Sequence, residues 1–247
     1  MLDFRTPINN ENTVTMNFNL INNHILLTVE TKLGDKVCVF DTGSPLTFFF
    51  DNVSEYSIDG KAYSVRQNPM AAMLAQFKPK IEEMIGVAID GFIGTDSIKN
   101  SSIVINFPNK ELHITSDKLQ LGNSIGMSDI HGLPIFEISI NGIVLRAAFD
   151  SGAMYSFVSS HFVEKLDLKP LNQTIMDFNP MFGAFEISLF NGEIKVGETN
   201  LGLQTIAIGS GYDQSLQMLG INAFIGIDAL KNSEVGISFI ERCIEVK

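Results

Sequence analysis

Two short motifs each place an aspartate two residues before a glycine, with a hydroxyl residue between them. The first runs from Asp41 to Gly43 and the second from Asp150 to Gly152, and each follows an apolar run. Two carboxyls brought together in a partly dry cleft cannot both ionise at low cost, so they share one proton. The ionised carboxyl can then activate a water, while the protonated one can protonate the carbonyl oxygen of a peptide bond. Because such a pair titrates as a unit, neither Asp41 nor Asp150 is assigned as base or acid.

A single motif of this kind is weak evidence, because aspartate, serine and glycine are also common turn residues. Its glycine lets the backbone turn tightly. The hydroxyl of Thr42 or Ser151 is small enough to be buried and can donate to a backbone opposite. Two such motifs are stronger evidence of a catalytic pair than one. Each lies at the end of an apolar strand, and the two occupy equivalent places in a repeat.

The chain carries an internal duplication. Residues 92–107 read FIGTDSIKNSSIVINF, residues 224–239 read FIGIDALKNSEVGISF, and nine of the sixteen positions are identical. The order in each copy is a hairpin, an aspartate motif, a variable middle, Phe-Ile-Gly, a short helix and two closing strands. The copies cover about residues 14–117 and 133–247, with a linker at 121–126. A duplicated unit of this kind predicts two carboxyls related by a pseudo-two-fold axis.

Turn signals predict how the elements around the motifs are arranged. Gly34-Asp35 and Asn141-Gly142 each predict the turn of a hairpin that leads into an aspartate motif. The longer middle of the second copy predicts a further hairpin with its turn at Asn191-Gly192. The first copy instead predicts a helix over residues 69–77, which Pro79 interrupts. The apolar face of that helix is formed by Met70, Met73, Leu74 and Phe77.

Composition narrows the class of protein. The 247 residues are 45% hydrophobic and 18% charged, which predicts a packed globular core. The net charge of −11 argues against nucleic acid and anionic membranes as partners. No apolar run reaches the roughly 18–20 residues of a membrane span. The first ten residues lack the features of a signal peptide, so we expect a cytoplasmic or otherwise non-exported protein.

Cysteine and histidine usage predicts neither a metal nor a cofactor. Cys38 and Cys243 lie in apolar strand-like runs, which favours two buried free thiols over a disulfide. The four histidines have no metal-ligand spacing and are interpreted as solvated or core residues.

With its two motifs, the chain resembles the pepsin/retropepsin superfamily of aspartic peptidases. It is more similar to the small retropepsin-like bacterial members than to secreted pepsins. The family pattern is two hydrophobic residues, Asp, Thr or Ser, Gly, then Ser, Ala or Thr, followed later by two hydrophobic residues and Gly. Residues 39–44 with 92–94 match it, and so do residues 148–153 with 224–226. The resemblance extends from about residue 14 to the end.

The resemblance implies roles for particular residues. Asp41 and Asp150 would form the catalytic pair, here called the dyad, and Thr42 and Ser151 would form an interlocked hydroxyl network beneath it. Gly43, Ser44, Gly152 and Ala153 would belong to the catalytic loops, and Gly94 and Gly226 would act as buttresses behind them. The flap, the segment that closes over the substrate, would include the flap or substrate-contact residues Met181, Phe182, Gly183 and Phe185.

The sequence departs from secreted pepsins in three respects. Its flap-length insertion is in the second copy and lacks tyrosine, and no pro-segment is evident. The position after each motif holds Ser44 in one copy and Ala153 in the other. A hydroxyl there can bond the neighbouring carboxylate, which predicts an asymmetric dyad.

We therefore expect an all-β fold of two pseudo-two-fold-related, orthogonal barrel-like lobes with a few short helices. Residues 1–120 would form the lobe with Asp41, and residues 121–247 the lobe with Asp150 and the flap. The expected function is an aspartic endopeptidase that uses water, needs no cofactor and requires no dimerisation for catalysis. Its substrate would be a peptide or protein segment bound as an added strand, with apolar side chains near the cut.

Two alternatives remain open at this point. One is a non-hydrolytic peptide-binding protein on the same scaffold, because fold does not fix function. The other is a processing enzyme with one physiological target, which would be silent on generic substrates.

Overall fold

Short runs of alternating apolar residues form most of the secondary structure of this protein. The computed structural model describes residues 13–66, 69–179 and 183–247, and within them strands dominate over a few short helices. The expectation of an all-β protein with few helices is therefore confirmed. No helix in these ranges is both long and apolar enough to cross a membrane.

Within the described residues, the first half of the chain contains ten strands and two α-helices. They are β1 (Thr13–Asn17), β2 (Asn19–Ile21), β3 (His24–Thr31), β4 (Lys36–Phe40), β5 (Phe48–Phe49), β6 (Glu55–Ile58), β7 (Lys61–Ser64), α1 (Pro69–Ala75), α2 (Lys78–Ile85), β8 (Gly91–Ile93), β9 (Ser102–Asn106) and β10 (Glu111–Thr115).

The second half contains eleven strands and three helices within the described residues. They are β11 (Ser124–Gly126), β12 (Ser128–Ile130), β13 (Leu133–Ile140), β14 (Ile143–Phe149), β15 (Ser156–Val158), α3 (Val163–Leu166), β16 (Lys169–Asn179), β17 (Gly183–Val196), β18 (Thr199–Ile208), α4 (Ser210–Leu219), β19 (Ala223–Ile225), α5 (Ile227–Leu230), β20 (Glu234–Ser238) and β21 (Cys243–Val246).

A six-stranded sheet joins the two halves, in the order β1-β10-β9-β20-β21-β11. At its centre β9 and β20, the closing strands of the repeat, pair antiparallel with Ser102 opposite Ser238. The Ser102 hydroxyl donates to the Ser238 hydroxyl at 2.9 Å. The segment expected to be a linker at 121–126 instead ends in a strand, because β11 pairs with the otherwise open edge of β21.

The sheet of the first half has the order β5-β8-β4-β3-β6-β7, with β2 also paired to β3. The predicted hairpin is present as β3 and β4, and Gly34 takes a positive φ of 95° in its turn. Along its other side β4 runs parallel to β8, which carries Phe92 and Ile93 of the repeat.

The sheet of the second half has the order β12-β13-β14-β19-β15-β18-β17-β16. A further pairing of β13 with β17 links six of these strands in a closed ring of pairings. The predicted β13–β14 hairpin turns at Asn141 and Gly142, whose φ values of 47° and 83° are those of a two-residue hairpin turn. As in the first half, β14 runs parallel to β19.

The turn predicted at Asn191-Gly192 is wrong, since β17 runs through both residues without a break. Gly192 is instead required by close packing, because a side chain at this position would overlap its neighbours. A Cβ there would lie 2.7 Å from Ile206 Cδ1 and 2.8 Å from Leu168 Cδ2. The chain turns after β17 at Gly197, where φ is 58°.

The helix predicted near residue 69 is present as α1, but Pro79 does not simply interrupt it. Pro79 lies in the first turn of α2, where a missing backbone N–H costs nothing. Of the predicted apolar face, Leu74 is buried, whereas Met73 is 37% exposed. The side chain of Met70 lies outside the described part of the chain. Both cysteines are buried and free, as predicted.

Candidate active site

The two aspartates lie at the ends of the equivalent strands β4 and β14. The N–H of Asp41 donates to the carbonyl of Ile93 at 2.9 Å, and the N–H of Asp150 donates to that of Ile225 at 3.0 Å. The parallel pairings of β4 with β8 and of β14 with β19 are thus each extended by one backbone hydrogen bond, which is made by the aspartate itself. The repeat therefore holds both aspartates by the same backbone contact.

The two carboxyls are brought together across the boundary between the halves. Each accepts the N–H of the glycine in its own motif, Gly43 to Asp41 at 2.8 Å and Gly152 to Asp150 at 2.9 Å. Each also packs on the opposite glycine. A Cβ on Gly152 would lie 2.6 Å from Asp41 Cγ, and one on Gly43 would collide with the carboxyl of Asp150. Both aspartates remain partly exposed, so water can reach them.

Beneath the carboxyls, the hydroxyls of Thr42 and Ser151 cross between the halves. Thr42 Oγ1 donates to the carbonyl of Phe149 at 2.9 Å and accepts the N–H of Ser151 at 3.0 Å. Ser151 Oγ donates to the carbonyl of Phe40 at 2.7 Å and accepts the N–H of Thr42 at 2.9 Å. Both side chains are fully buried. Four hydrogen bonds therefore lock the two loops in register.

The environment of the dyad favours the protonated form of its carboxyls. Loss of water around both groups raises their pKa values, and the charge and hydrogen bond of Asp150 raise the pKa of Asp41 further. The N–H groups of Gly43 and Gly152 oppose this shift because they stabilise the ionised form. Desolvation is the largest influence on both pKa values, so the pair retains a proton where an ordinary carboxyl has lost it.

The residues after each motif do not create the predicted asymmetry through a side chain. The Ser44 hydroxyl donates to the carbonyl of Leu46 at 2.9 Å, away from the carboxyls. The two loops instead close in the same way. The N–H of Ser44 donates to the carbonyl of Asp41 at 3.2 Å, and the N–H of Ala153 donates to the carbonyl of Asp150 at 3.2 Å.

The two predicted buttress glycines lie against the backbone of the loops that carry Asp41 and Asp150. A Cβ on Gly94 would lie 2.6 Å from the carbonyl carbon of Leu46, and one on Gly226 would collide with the backbone of Tyr155. Any larger residue at either position would push the loop, and with it the aspartate, out of place.

Sequence reasoning missed two aspartates that hold these loops from behind. Asp96 accepts the N–H of Thr47 at 2.9 Å and its hydroxyl at 2.7 Å, and that hydroxyl accepts the N–H of Gly94 at 3.0 Å. The second half repeats the arrangement, because Asp228 accepts the N–H of Ser156 at 2.9 Å. The signal was present, since Asp96 and Asp228 are identical positions of the duplication.

Two of the four predicted flap residues, Gly183 and Phe185, lie on β17, which pairs antiparallel with β16. Met181 and Phe182 lie outside the described residues. Gly183 begins β17 with a φ of 80°. Phe185 is half-buried and meets the ring of Tyr212 edge-on, with centroids 5.0 Å apart. Phe185 therefore packs the hairpin onto α4.

A cavity of about 90 Å³ lies directly beside the loop that carries Asp150. Its wall includes Gly152 to Tyr155, His24 from the first half, and Asp177 from β16. Tyr212 also lines it and donates its hydroxyl to Asp177 Oδ2 at 2.9 Å. Nothing in the sequence pattern identified His24, Asp177 or Tyr212, because only the tertiary structure brings them together.

Across the three described ranges, no group of three histidine, cysteine, aspartate or glutamate side chains is arranged to hold a metal ion. No family model matches this chain, and no curated protein matches it in sequence.

Proposed function

We propose that this protein is an aspartic endopeptidase of the pepsin/retropepsin type, in which Asp41 and Asp150 together activate a water. One observation carries the proposal: two loops from a duplicated unit are interlocked so that their carboxyls share a hydrogen bond and raised pKa values. A buried acid pair that is only structural would not need to face solvent, whereas both aspartates remain partly exposed.

The chemistry follows from one proton held between two carboxyls. A water between them loses a proton to the ionised carboxyl as its oxygen attacks the peptide carbonyl, whose oxygen takes the proton of the other carboxyl. The tetrahedral intermediate then collapses: one of its hydroxyls returns a proton to the carboxylate that had given one, and the C–N bond breaks as the leaving nitrogen takes the proton that the other carboxyl had gained from water. The products are a carboxylic acid and an amine, and the dyad returns to one proton. Neither aspartate is assigned a fixed role.

The arrangement of the sheets supports a two-lobed molecule with the cleft above the dyad. Each half has its own sheet, and the six-stranded sheet joins them. The β16–β17 hairpin supplies Asp177 and Met176 to the cavity beside Asp150. An extended peptide or protein segment would lie in this cleft and pair with strand edges. Because both aspartates belong to one chain, catalysis needs no dimer.

The experiment that tests the proposal is incubation of the protein with a diverse peptide mixture from acidic to neutral pH. Mass spectrometry would read the new termini. Asp41→Asn and Asp150→Asn are the test variants, and Asp59→Asn is the matched control, since Asp59 lies exposed in the β6–β7 turn. We expect new termini with the wild type and with Asp59→Asn, and none with either dyad variant.

Cleavage that survives in both dyad variants would contradict the proposal. Absence of cleavage by the folded wild type would also count against a general peptidase. Recovery of an intact peptide bound to the wild type would then favour the non-hydrolytic binding protein.

A further inference from the structure

The turn between β2 and β3 reaches across the boundary between the two halves. Its two residues, Asn22 and Asn23, have positive φ values of 45° and 55°, as a two-residue hairpin turn requires. The side-chain amide of Asn23 donates to the carbonyl of Met154 at 3.3 Å. Met154 lies four residues after Asp150, in the loop that carries this aspartate. A side chain of the first half therefore contacts the aspartate loop of the second half.

The second half contains the equivalent turn. It is formed between β12 and β13 by His131 and Gly132, whose φ values are 54° and 84°. Asn23 and Gly132 each lie 18 residues before the aspartate of their own copy. A Cβ on Gly132 would lie 3.4 Å from the Cβ of Pro45, in the loop of the first aspartate. Because Pro45 and Met154 are also equivalent positions, each half places this turn against the aspartate loop of the other half.

The two aspartate loops differ in the side chain that donates to their backbone from this side. In the first half the hydroxyl of Thr95 donates to the carbonyl of Ser44 at 3.3 Å. The repeat has Ile227 at the position of Thr95, and isoleucine has no hydroxyl. In the second half Asn23 instead donates to the next carbonyl along the loop. The loop of Asp150 thus receives from the opposite half a contact that the other loop receives from its own half.

The turn is also fixed to the first half. The side-chain amide of Asn22 donates at 3.1 Å to the carbonyl of Ile85, the last residue of α2. Ile85 is buried in a small apolar cluster together with Val39 of β4, which lies two residues before Asp41. The turn therefore connects the loop of Asp150 to the part of the core that supports the strand of Asp41.

From these contacts we propose that the Asn22–Asn23 turn is a clasp between the halves, and that Asn23 is a positioning residue for the loop of Asp150. The clasp sets how closely the two carboxyls approach each other. Asn23 acts through the backbone of the loop and takes no part in bond cleavage. Its effect on catalysis rests on the proposed function, because a shared proton requires the carboxyls to lie within hydrogen-bond distance.

The variant that tests the clasp is Asn23→Gly, which removes the donor without straining the turn. Glycine adopts a positive φ at no steric cost, and Asn-Gly is a preferred pair for a two-residue hairpin turn. The free energy of unfolding, measured in urea, should therefore change little. Asp59→Gly is the matched control, because Asp59 has a φ of 47° in the two-residue β6–β7 turn and its side chain is exposed.

Two readouts compare the wild type with both variants. The first is kcat/KM for a peptide that the wild type cleaves. The second is an NMR titration of the aspartate carboxyls, which does not depend on turnover. The signals of the dyad are identified by their loss in Asp41→Asn and Asp150→Asn.

The expected results follow from the repulsion between two ionised carboxyls. Carboxyls that lie farther apart repel each other less, so the two apparent pKa values of the pair come closer together. We expect this narrower gap in Asn23→Gly, with kcat/KM lower by at least about tenfold because the catalytic groups are displaced. A residue that only stabilised the fold would not change the gap. Asp59→Gly should behave as the wild type in both readouts.

The outcomes separate the clasp from the proposed function. A gap in well-folded Asn23→Gly that equals that of the wild type overturns the clasp, whatever the value of kcat/KM, and cleavage by the wild type would leave the peptidase intact. An equal narrowing in Asp59→Gly also overturns the clasp. A gap that narrows only in Asn23→Gly, without cleavage by the wild type, supports the clasp and overturns the peptidase.

Discussion

At the scale of single residues, the distance between the two carboxyls is set by two glycines. Gly43 and Gly152 each lie where a Cβ would overlap the carboxyl of the opposite motif. Their absence of a side chain is therefore what permits Asp41 and Asp150 to share a hydrogen bond. The tight turn that the sequence suggested for these glycines is thus only part of their role.

Because the carboxyl of Asp41 lies against Gly152, a single methyl group added to that glycine should displace the carboxyl. Gly152→Ala should lower kcat/KM by at least about 10²-fold, because displacement of a catalytic group by about 1 Å can cost that much. Gly126→Ala is the control, since a Cβ on Gly126 meets nothing within 4 Å. Steady-state kinetics and circular dichroism of both variants check the prediction. Wild-type activity in a well-folded Gly152→Ala would contradict this account of the dyad.

The residues of the site differ in how far the sequence could predict them. Asp41 and Asp150 are identifiable because each follows an apolar strand at an equivalent place in the repeat. Asp177 and Tyr212 are separated by 35 residues and carry no motif, and they meet only because the β16–β17 hairpin packs on α4. Non-local contacts of this kind leave no local pattern.

At the scale of elements, the repeated Phe-Ile-Gly strand and the aspartate that follows it form a supporting bracket behind each of the two loops that carry Asp41 and Asp150. In the second half Asp228 accepts the N–H and the hydroxyl of Ser156, and that hydroxyl accepts the N–H of Gly226. Asp228 is only 8% exposed, and its burial raises its pKa to about 7. The bracket therefore contains an acid that favours its protonated form.

This raised pKa predicts that Asp228 makes stability depend on pH. An acid whose folded pKa exceeds its ordinary value of 3.8 stabilises the fold fully below that value, and the stabilisation is lost as pH rises through about 7. Between pH 5 and 8 the loss should be about 3 kcal/mol. Asp228→Asn should remove this contribution, because asparagine keeps an acceptor and does not titrate.

Urea unfolding at pH 5 and pH 8 measures the effect, with Asp59→Asn as the exposed control. The free energy of unfolding should fall less between the two pH values for Asp228→Asn than for the wild type. An equal fall in both proteins would show that Asp228 does not titrate in this range.

Turn signals show why some elements could be predicted and others could not. Asn141-Gly142 is a hairpin turn as expected, because both residues adopt positive φ values between two strands that pair. Asn191-Gly192 has the same letters, but Gly192 lies within β17 and is required by packing on Ile206. A dipeptide does not distinguish a glycine needed for its dihedral angles from one needed for its small size.

At the scale of the whole molecule, the duplication explains how one chain brings two equivalent loops together. The closing strands of both copies meet at the centre of the six-stranded sheet, where β9 pairs with β20. The sequence predicted the two copies from their identical residues, and the all-β class followed from the hairpin signals and the family resemblance. It did not predict that residues after 121 add the edge strand β11, because an edge pairing of three residues has no distinctive pattern.

The central claim is that Asp41 and Asp150 act as one catalytic unit, and a double-mutant cycle on kcat/KM tests it most directly. The proteins are the wild type, Asp41→Asn, Asp150→Asn and the double variant, each shown by circular dichroism to be folded, with a peptide that the wild type cleaves. We predict that each single substitution lowers kcat/KM at least about 10³-fold and that the double variant falls no further, because groups that act together are not additive. Near-wild-type activity in either single variant, or losses that multiply in the double variant, would contradict the account.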